Sequence, residues 1–185
     1  MEQAFAVWIT GLPASGKSTL AARLSEQLGA RGARPAVLES DALRTVLTPE
    51  ATYSEREREA FYGALVHIGR ILADHGVPVI FDATGNRRAY RERARQAIRR
   101  FLEVYVECPL AVCMARDRKG TYRKAQQGES STVPGLQSAY EPPDRPDLVV
   151  RGDRDEPAEA ARRIVACLEE KAFLEPWTQR SFAAS

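Results

Sequence analysis

The stretch VWITGLPASGKSTLAARL, residues 7–24, constrains the fold more than any other part of the chain. An apolar run ends in a loop with two glycines, a lysine and two hydroxyl residues, and a helical pattern follows. The loop fits G-x-x-x-x-G-K-S/T, in which glycines allow successive backbone N–H groups to surround a phosphate. A chance match in a glycine-rich turn is the alternative. The preceding strand pattern and the following helix pattern favour the phosphate-binding loop, and hence nucleotide binding.

Each residue type in this loop has a chemical role toward a nucleotide. Lys17 is expected to place its ammonium group on the β and γ oxygens, and Ser18 to offer its hydroxyl to Mg²⁺. The helix that begins there directs the partial positive charge of its N-terminus at the same anion. The predicted phosphate contacts come from Gly11, Ala14, Ser15, Gly16, Lys17, Ser18 and Thr19.

Short apolar runs alternate with helical patterns along the rest of the chain. Strands are predicted at 4–10, 35–41, 77–84, 101–109 and 146–152, and helices at 18–31, 54–75, 86–100, 109–116 and 156–171. Alternation of this kind predicts a parallel sheet covered on both faces, an α/β fold in three layers. With 185 residues and no linker, we expect one domain over 1–175 and a tail at 176–185 without a clear period.

Residues 117–145 depart from this pattern, because glycine, proline, serine and charged residues dominate and the apolar period fades. A segment of this length inside a compact domain is usually functional or disordered. Its basic residues surround two glycines, Gly120 and Gly128. We expect a basic lid that closes over the nucleotide and excludes water, with a flexible surface loop as the alternative.

Composition limits the partners. The formal net charge of +2 gives no clear basic surface, so a nucleic-acid partner is not expected, and the sequence has no 18-residue apolar run to suggest a membrane partner. The two histidines make a zinc site improbable. Three cysteines without a CxxC pair indicate a reducing compartment, and we expect a cytoplasmic protein that acts on a small-molecule substrate.

Two aspartates follow predicted strands. Asp82 ends the run VPVIFD and is expected to hold Mg²⁺ through a bound water. Asp41, in LESDALR, could accept the proton of an attacking hydroxyl while Arg44, three residues on, binds the acceptor. Each aspartate could instead cap a helix or turn.

Arginines crowd the pattern NRRAYRERARQAIRR at 86–100, where Arg88, Arg91 and Arg95 share one helical face. Such a face can bind phosphate or sulfate, face solvent, or contact nucleic acid. A solvated face suits most of these arginines. Arg88, the nearest to the strand end, is the one expected to bind the acceptor.

Aromatic residues offer faces on which a base could stack. Tyr53, Phe61 and Tyr62 are the candidates, because an aromatic ring can stack on a nucleobase. For Phe61 and Tyr62, which lie inside a helical pattern, core packing is the better account.

With these residues laid out, the chain resembles the adenylyl-sulfate kinase family over about residues 5–170. Shared pieces include WITGLPASGKSTLA, ESDALR, YSEREREAF and LADHGVPVI, and the more specific pieces are ECPLAVCMARDRKGTYRKAQQGE and YEPPDRPDLVV. The resemblance implies a P-loop kinase fold, Mg-ATP as donor, and transfer of the γ-phosphoryl group to the 3′-hydroxyl of adenylyl sulfate. Members of the family are often homodimers.

The resemblance also implies roles for individual residues. Asp41 matches the acidic residue beside the acceptor hydroxyl, and Arg44 and Arg58 match arginines that bind the acceptor. Tyr53 falls where the family places an aromatic residue against the acceptor's adenine, and Lys124 lies in the lid.

The chain departs from the family mainly on the acceptor side. Phe61 stands where the family usually has an asparagine, Gly85 where it has a serine, and Val133 where the lid carries a second aromatic residue. Asp82 replaces a small residue, and FDATGNRRAYR looks like a stretch of other small P-loop kinases. The alternative is therefore a kinase of this type that phosphorylates another hydroxyl on a nucleotide-linked small molecule or, with less support, on a polynucleotide or tRNA.

Overall fold

The computed structural model describes residues 3–175 and has a parallel sheet at its centre. The strands lie in the order β2-β3-β1-β4-β5 and span Ala6–Thr10 (β1), Ala36–Glu39 (β2), Val79–Asp82 (β3), Phe101–Glu107 (β4) and Leu148–Arg151 (β5). Every neighbouring pair is parallel, so all carboxyl ends lie along one edge of the sheet. The loop after β1 therefore lies beside the ends of β3 and β4.

Helices cover both faces of the sheet. They span Lys17–Ala30 (α1), Ser40–Leu47 (α2), Glu55–Asp74 (α3), Arg88–Ala97 (α4), Leu110–Ala115 (α5), Thr121–Gln126 (α6) and Pro157–Glu170 (α7). Alternate residues of β1 point into two separate cores. Val7 and Ile9 pack with the core that contains residues of α1 and α7, whereas Trp8 packs with the core that contains residues of α3 and α4. The predicted three-layer α/β fold is confirmed.

The ends of the helices follow local chemistry. Ser54 stands at the start of the predicted 54–75 helix with Glu57 three residues on, a pattern that predicts a capping serine. It caps α3 by accepting a 3.3 Å hydrogen bond from the backbone N–H of Glu57. The Glu57 carboxylate accepts from the backbone N–H and the hydroxyl of Thr52 instead of returning to Ser54. The turn before α3 is thereby fixed.

Three segments differ from the prediction. The sequence indicates only a helical turn after Asp41, whereas α2 spans two turns of helix. Helix α4 begins at Arg88 and ends at Ala97, so 83–87 is a loop. The lid segment 117–145 contains α6, which the weak apolar period did not reveal. The predicted tail at 176–185 lies outside the described residues, and among residues 3–175 no helix is both long and apolar enough to cross a membrane.

Candidate active site

The phosphate-binding loop runs from Gly11 to Gly16 between β1 and α1. Gly11 has a φ of 154°, and a Cβ atom there would lie 2.5 Å from the backbone oxygen of Val106, so only glycine fits beside β4. Ala14 and Gly16 also have positive φ, and Gly16 is the N-cap of α1. The loop therefore curls around the N-terminus of α1, as the sequence predicts.

Two polar groups of this loop fit an anion. The hydroxyl of Ser15 is buried without a hydrogen-bond partner within residues 3–175. Lys17 is buried, and its Nζ donates to the backbone oxygen of Leu12 at 2.8 Å. Burial lowers the pKa of Lys17, and the carboxylates of Asp82 and Asp41 partly oppose that shift. A phosphate would supply the acceptor that Ser15 lacks and a charge opposite to that of Lys17.

Three carboxylates lie along the same edge of the sheet. Asp82 ends β3 and is paired in register with Glu39 at the end of β2 and with Ile9 of β1. Asp82 is buried, and burial raises its pKa, while a hydrogen bond to the Ser18 side chain and the charge of Lys17 act in the opposite direction. Asp41 follows in the first turn of α2.

The Ser18 hydroxyl and the Asp82 carboxylate are hard oxygen donors, which suits Mg²⁺. Within residues 3–175 no group of three histidine, cysteine, aspartate or glutamate side chains could hold a metal ion. Mg²⁺ is usually bound through one or two protein oxygens together with substrate phosphates, so this donor set fits that ion.

Lys119, which no sequence pattern singled out, contacts Asp41. Its Nζ lies 2.6 Å from Oδ2 of Asp41 and 3.6 Å from Oε1 of Glu39, and the contact with Asp41 raises the pKa of Lys119. Its position in the DRKGTYRKA piece is the signal that could have marked it. The lid therefore reaches the residue predicted to act on the acceptor hydroxyl.

Of the three arginines predicted to bind the acceptor, Arg44 and Arg58 are buried. Of these two, only Arg44 has a carboxylate partner among residues 3–175. Arg44 is paired with Glu57 at 3.0 Å, and its guanidinium carbon lies 3.8 Å from the ring centre of Phe61. Arg58 donates to backbone oxygens and to Asn86 instead. Burial lowers the pKa of Arg58, and the charge of Arg44 acts in the same direction.

Tyr53 lies beside these arginines with a φ of 53°, a conformation that is uncommon outside glycine. Its carbonyl accepts from Nε of Arg58 at 2.9 Å, and its ring centre is 4.8 Å from the guanidinium carbon of Arg44. The residue is 40% exposed, so part of its surface is accessible to a ligand. Phe61, by contrast, is 2% exposed and packs in the core.

The remaining predicted residues lie farther out. Arg88 begins α4 and pairs with Asp144 and, more loosely, with Glu141, and its side chain is half exposed. Lys124 is exposed on α6. Their roles toward an acceptor remain predictions.

The lid touches the phosphate-binding loop directly. The hydroxyl of Tyr122, on α6, donates to the backbone oxygen of Pro13 at 3.0 Å. A small buried cluster joins the lid to the residues after β4. It consists of Cys108 and Cys113 together with three lid residues, Tyr122, Ala125 and Val133. Val133 therefore belongs to the packing of the lid.

Known proteins are similar to this chain in sequence. The family model described as adenylylsulphate kinase matches residues 3–151. A probable adenylyl-sulfate kinase of Archaeoglobus fulgidus is 41% identical over 152 residues, covering 82% of this chain and 98% of the relative. The adenylyl-sulfate kinase of Thermodesulfovibrio yellowstonii is 34% identical over 174 residues, covering 93% and 87%.

A solved structure agrees with these relatives. The structure of the Mycobacterium tuberculosis APS kinase CysC in complex with AMPPNP and APS superposes with a TM-score of 0.85 at 34% identity. The match covers 91% of this chain and 99% of that one.

Proposed function

The chain belongs to the adenylyl-sulfate kinase family, a family of P-loop kinases, and we propose that it transfers the γ-phosphoryl group of ATP to the 3′-hydroxyl of adenylyl sulfate. The observation that carries the proposal is the convergence of Lys17, Asp82 and Asp41 at one edge of the sheet. A buried ammonium group beside two carboxylates suits phosphoryl transfer, in which positioning and charge neutralisation supply most of the catalysis.

On the donor side, the triphosphate of ATP lies in the loop from Gly11 to Gly16, and its β and γ oxygens replace Leu12 as the partner of Lys17. Ser18 and, through water, Asp82 would hold Mg²⁺, and the bound ion would neutralise phosphate charge. The buried hydroxyl of Ser15 gains an acceptor from the same phosphates.

On the acceptor side, Asp41 orients the 3′-hydroxyl and accepts its proton. The Lys119 ammonium, which now contacts Asp41, must move aside for that step. Tyr53 supplies one stacking face for the adenine, and Arg58 meets the anionic group of the acceptor. The charge of Arg44 is already paired with Glu57, and its guanidinium group supports Tyr53 by packing against the ring.

A second candidate is transfer to a hydroxyl of another nucleotide-linked small molecule. The burial of Val133 in the lid cluster favours it, because no second aromatic face lies at that position. A polynucleotide acceptor has less support. Five of the arginines at 86–100 are paired with carboxylates, which reduces the positive charge available to a polyanion: Arg87, Arg88, Arg91, Arg93 and Arg95.

We further propose that the protein works in the cytoplasm. Its three cysteines are free, and burial raises the pKa of Cys113 to about 12, so that this thiol stays protonated and unreactive. The homodimer that the resemblance implies remains a prediction.

The test is release of ADP from Mg-ATP with adenylyl sulfate as the sole acceptor, against a reaction without acceptor. Turnover that depends on micromolar adenylyl sulfate supports the proposal. ATP binding without such turnover would assign the chain to the second candidate, and other nucleotide-linked hydroxyls would then be assayed.

Lys17→Met is the control for the donor site. We expect kcat to fall at least about 100-fold, because a cation aimed at the transferring group is lost. Since burial disfavours the charged form of Lys17, the melting temperature should stay level or rise. Near-normal turnover of this variant would contradict the assignment of Lys17 to the γ-phosphoryl group.

A further inference from the structure

Asn86 is a buried side chain to which neither the phosphate-binding loop nor the carboxylates assign a role. It lies in the loop between β3 and α4 and is 4% exposed. Its Nδ2 donates to the backbone oxygen of Ala139 at 3.1 Å, and its own backbone oxygen accepts from Glu141 at 2.8 Å. The first contact directs the amide nitrogen at Ala139 and leaves Oδ1 to accept from another donor.

That oxygen meets Arg58. Nη1 of Arg58 donates to Oδ1 of Asn86 at 3.2 Å, while Nε donates to Tyr53 and Nη2 to the backbone oxygen of Thr132 at 2.7 Å. The three acceptors come from three separate segments of the chain. They hold the plane of the guanidinium group from three directions.

The charge of Arg58 has no counterpart in the described part of the chain. No ion pair joins Arg58 to a carboxylate among residues 3–175, although the side chain is only 7% exposed. A buried cation that is met only by neutral oxygens is costly unless an anion binds it. A guanidinium group has five N–H donors. Three are used here, so one N–H group remains on each of Nη1 and Nη2, and a bidentate contact with an anion needs two such donors.

We propose that Asn86 is a positioning residue that holds the guanidinium fork of Arg58 ready for the anionic group of the acceptor. The inference rests on the proposed function, in which that group is the phosphosulfate of adenylyl sulfate. A neutral amide oxygen suits this task because it accepts a hydrogen bond without neutralising the cation. A carboxylate in its place would compete with the substrate anion.

The loop that carries Asn86 is itself fixed. The backbone N–H of Gly85 donates to the hydroxyl of Tyr62 at 3.0 Å, and Arg91 donates to the backbone oxygens of Gly85 and Glu141. A Cβ atom on Gly85 would lie 2.9 Å from the Trp8 ring, and the residue has a φ of 49°, so glycine is required. The amide is thus presented to Arg58 from a rigid support.

The kinetic test compares Asn86→Ala and Asn86→Asp with the wild type at saturating ATP. We expect KM for adenylyl sulfate to rise about tenfold in both, with KM for ATP changed less than about twofold. Asn86→Asp keeps the size of the side chain and guards against misfolding of the alanine variant. Gln27→Ala is the matched control, because the side-chain amide of Gln27 also donates to a backbone oxygen, that of Ala158, but joins α1 to α7 on the other face of the sheet.

A double-mutant cycle with Arg58→Lys decides whether Asn86 acts through Arg58. If it does, Asn86→Ala should change KM for adenylyl sulfate less than about twofold in the Arg58→Lys background. An equal tenfold effect in both backgrounds would overturn the proposal, as would an unchanged KM in both single variants. A similar rise of KM in Gln27→Ala would also overturn it.

A second readout needs no acceptor. Side-chain ¹⁵N NMR of the free protein should show slow rotation of the Arg58 guanidinium group, and Asn86→Ala should accelerate it while Gln27→Ala leaves it slow. Equal rotation in wild type and Asn86→Ala would refute the positioning role. A wild-type protein that holds Arg58 in this way but does not phosphorylate adenylyl sulfate would refute the proposed function alone.

Discussion

Three ionisable side chains at the candidate site are buried although burial disfavours their charged forms. Burial lowers the pKa values of Lys17 and Arg58 and raises that of Asp82, so each charged form is disfavoured in the folded protein. Elsewhere in the fold a buried charge is paired with an opposite charge, as Arg91 is with Glu103 at 2.7 Å. Shifts of this kind concentrate at functional sites, where a ligand supplies the missing charge.

Asp82→Asn tests how much the buried charge of Asp82 lowers the stability of the folded protein. The pKa of Asp82 is raised on folding, so the folded state holds the proton more tightly than the unfolded state does. Wild-type stability should therefore fall as the pH rises above 3.8, the ordinary pKa of an aspartate. The stability of Asp82→Asn should not show this fall. We expect Asp82→Asn to be the more stable protein at neutral pH, with an advantage that vanishes at acidic pH, and to bind Mg²⁺ more weakly in the presence of ATP.

Denaturant unfolding at several pH values, with Asp147→Asn as control, measures this difference. Burial alone would raise the pKa of Asp147, but hydrogen bonds from the Glu103 backbone and from Lys171 lower it overall. Asp147→Asn should thus lose stability at neutral pH and approach the wild type as pH falls. Variants that shift in the same direction would show that the two carboxylates do not differ as the structure indicates.

At the scale of elements, α6 depends on one side chain. The Asp117 carboxylate accepts from the backbone N–H groups of Thr121, Tyr122 and Arg123. These donors belong to the first turn of a six-residue helix, too short to be stable by itself. The apolar side of the helix contributes Tyr122 and Ala125 to the lid cluster.

Asp117→Ala should therefore destabilise α6 locally, by about 1–2 kcal/mol, because its first turn loses its acceptors. Hydrogen exchange should quicken at 121–126, and KM for ATP should rise because Tyr122 no longer anchors the lid on Pro13. Glu156→Ala, which uncaps α7 instead, is the control. It should lower global stability and leave the relative protection of α6 unchanged, and faster exchange at α6 alone in this control would contradict the assignment.

The sequence predicts those elements whose determinants lie close together along the chain. The phosphate-binding loop, the Ser54 cap and the five strands each rest on residues within a short window, and all are present. The contacts that complete the site are long-range. Lys119 and Asp41 are 78 residues apart, and Arg58 and Thr132 are 74 apart, so no local pattern brings them together.

Phe61 also shows a contact that the sequence alone does not predict. Its helical position predicts core packing, and the resemblance places it at the acceptor site. The structure buries the ring in the core and also sets it 3.8 Å from the guanidinium carbon of Arg44. One residue thus packs the layer under the site and supports a polar group of the site, and only the fold shows both contacts.

For the whole molecule, the spacing of the layers depends on a glycine. Gly69 lies on α3 where the helix crosses β3, and a Cβ atom there would lie 2.2 Å from Cζ and 2.6 Å from Cε1 of Phe81. Phe81 is fully buried and stacks on Trp8, with ring centres 4.8 Å apart, so it has no room to move. The absence of a side chain lets α3 lie close to the sheet.

Gly69→Ala sets two effects against each other. Alanine favours a helix over glycine by about 1 kcal/mol, but overpacking a filled core costs about 1–3 kcal/mol. We expect a net loss of stability, because the methyl group can be accommodated only by moving α3 or the Phe81–Trp8 stack. Gly29→Ala in α1, where no atom lies within 4 Å of the added carbon, isolates the helix effect and should stabilise slightly.

Thermal unfolding of the two variants decides between these effects, with about 2–4 °C expected per kcal/mol for a chain of this size. Only two residues separate Trp8 from the phosphate-binding loop, and its indole N–H donates to the backbone oxygen of Ala83. Displacement of the Phe81–Trp8 stack should therefore also disturb the candidate active site. Gly69→Ala should therefore raise the KM values for both substrates, whereas Gly29→Ala should not. A Gly69→Ala protein as stable as Gly29→Ala would show that α3 can move away from the sheet at no cost, and that the close contact does not set the layer spacing.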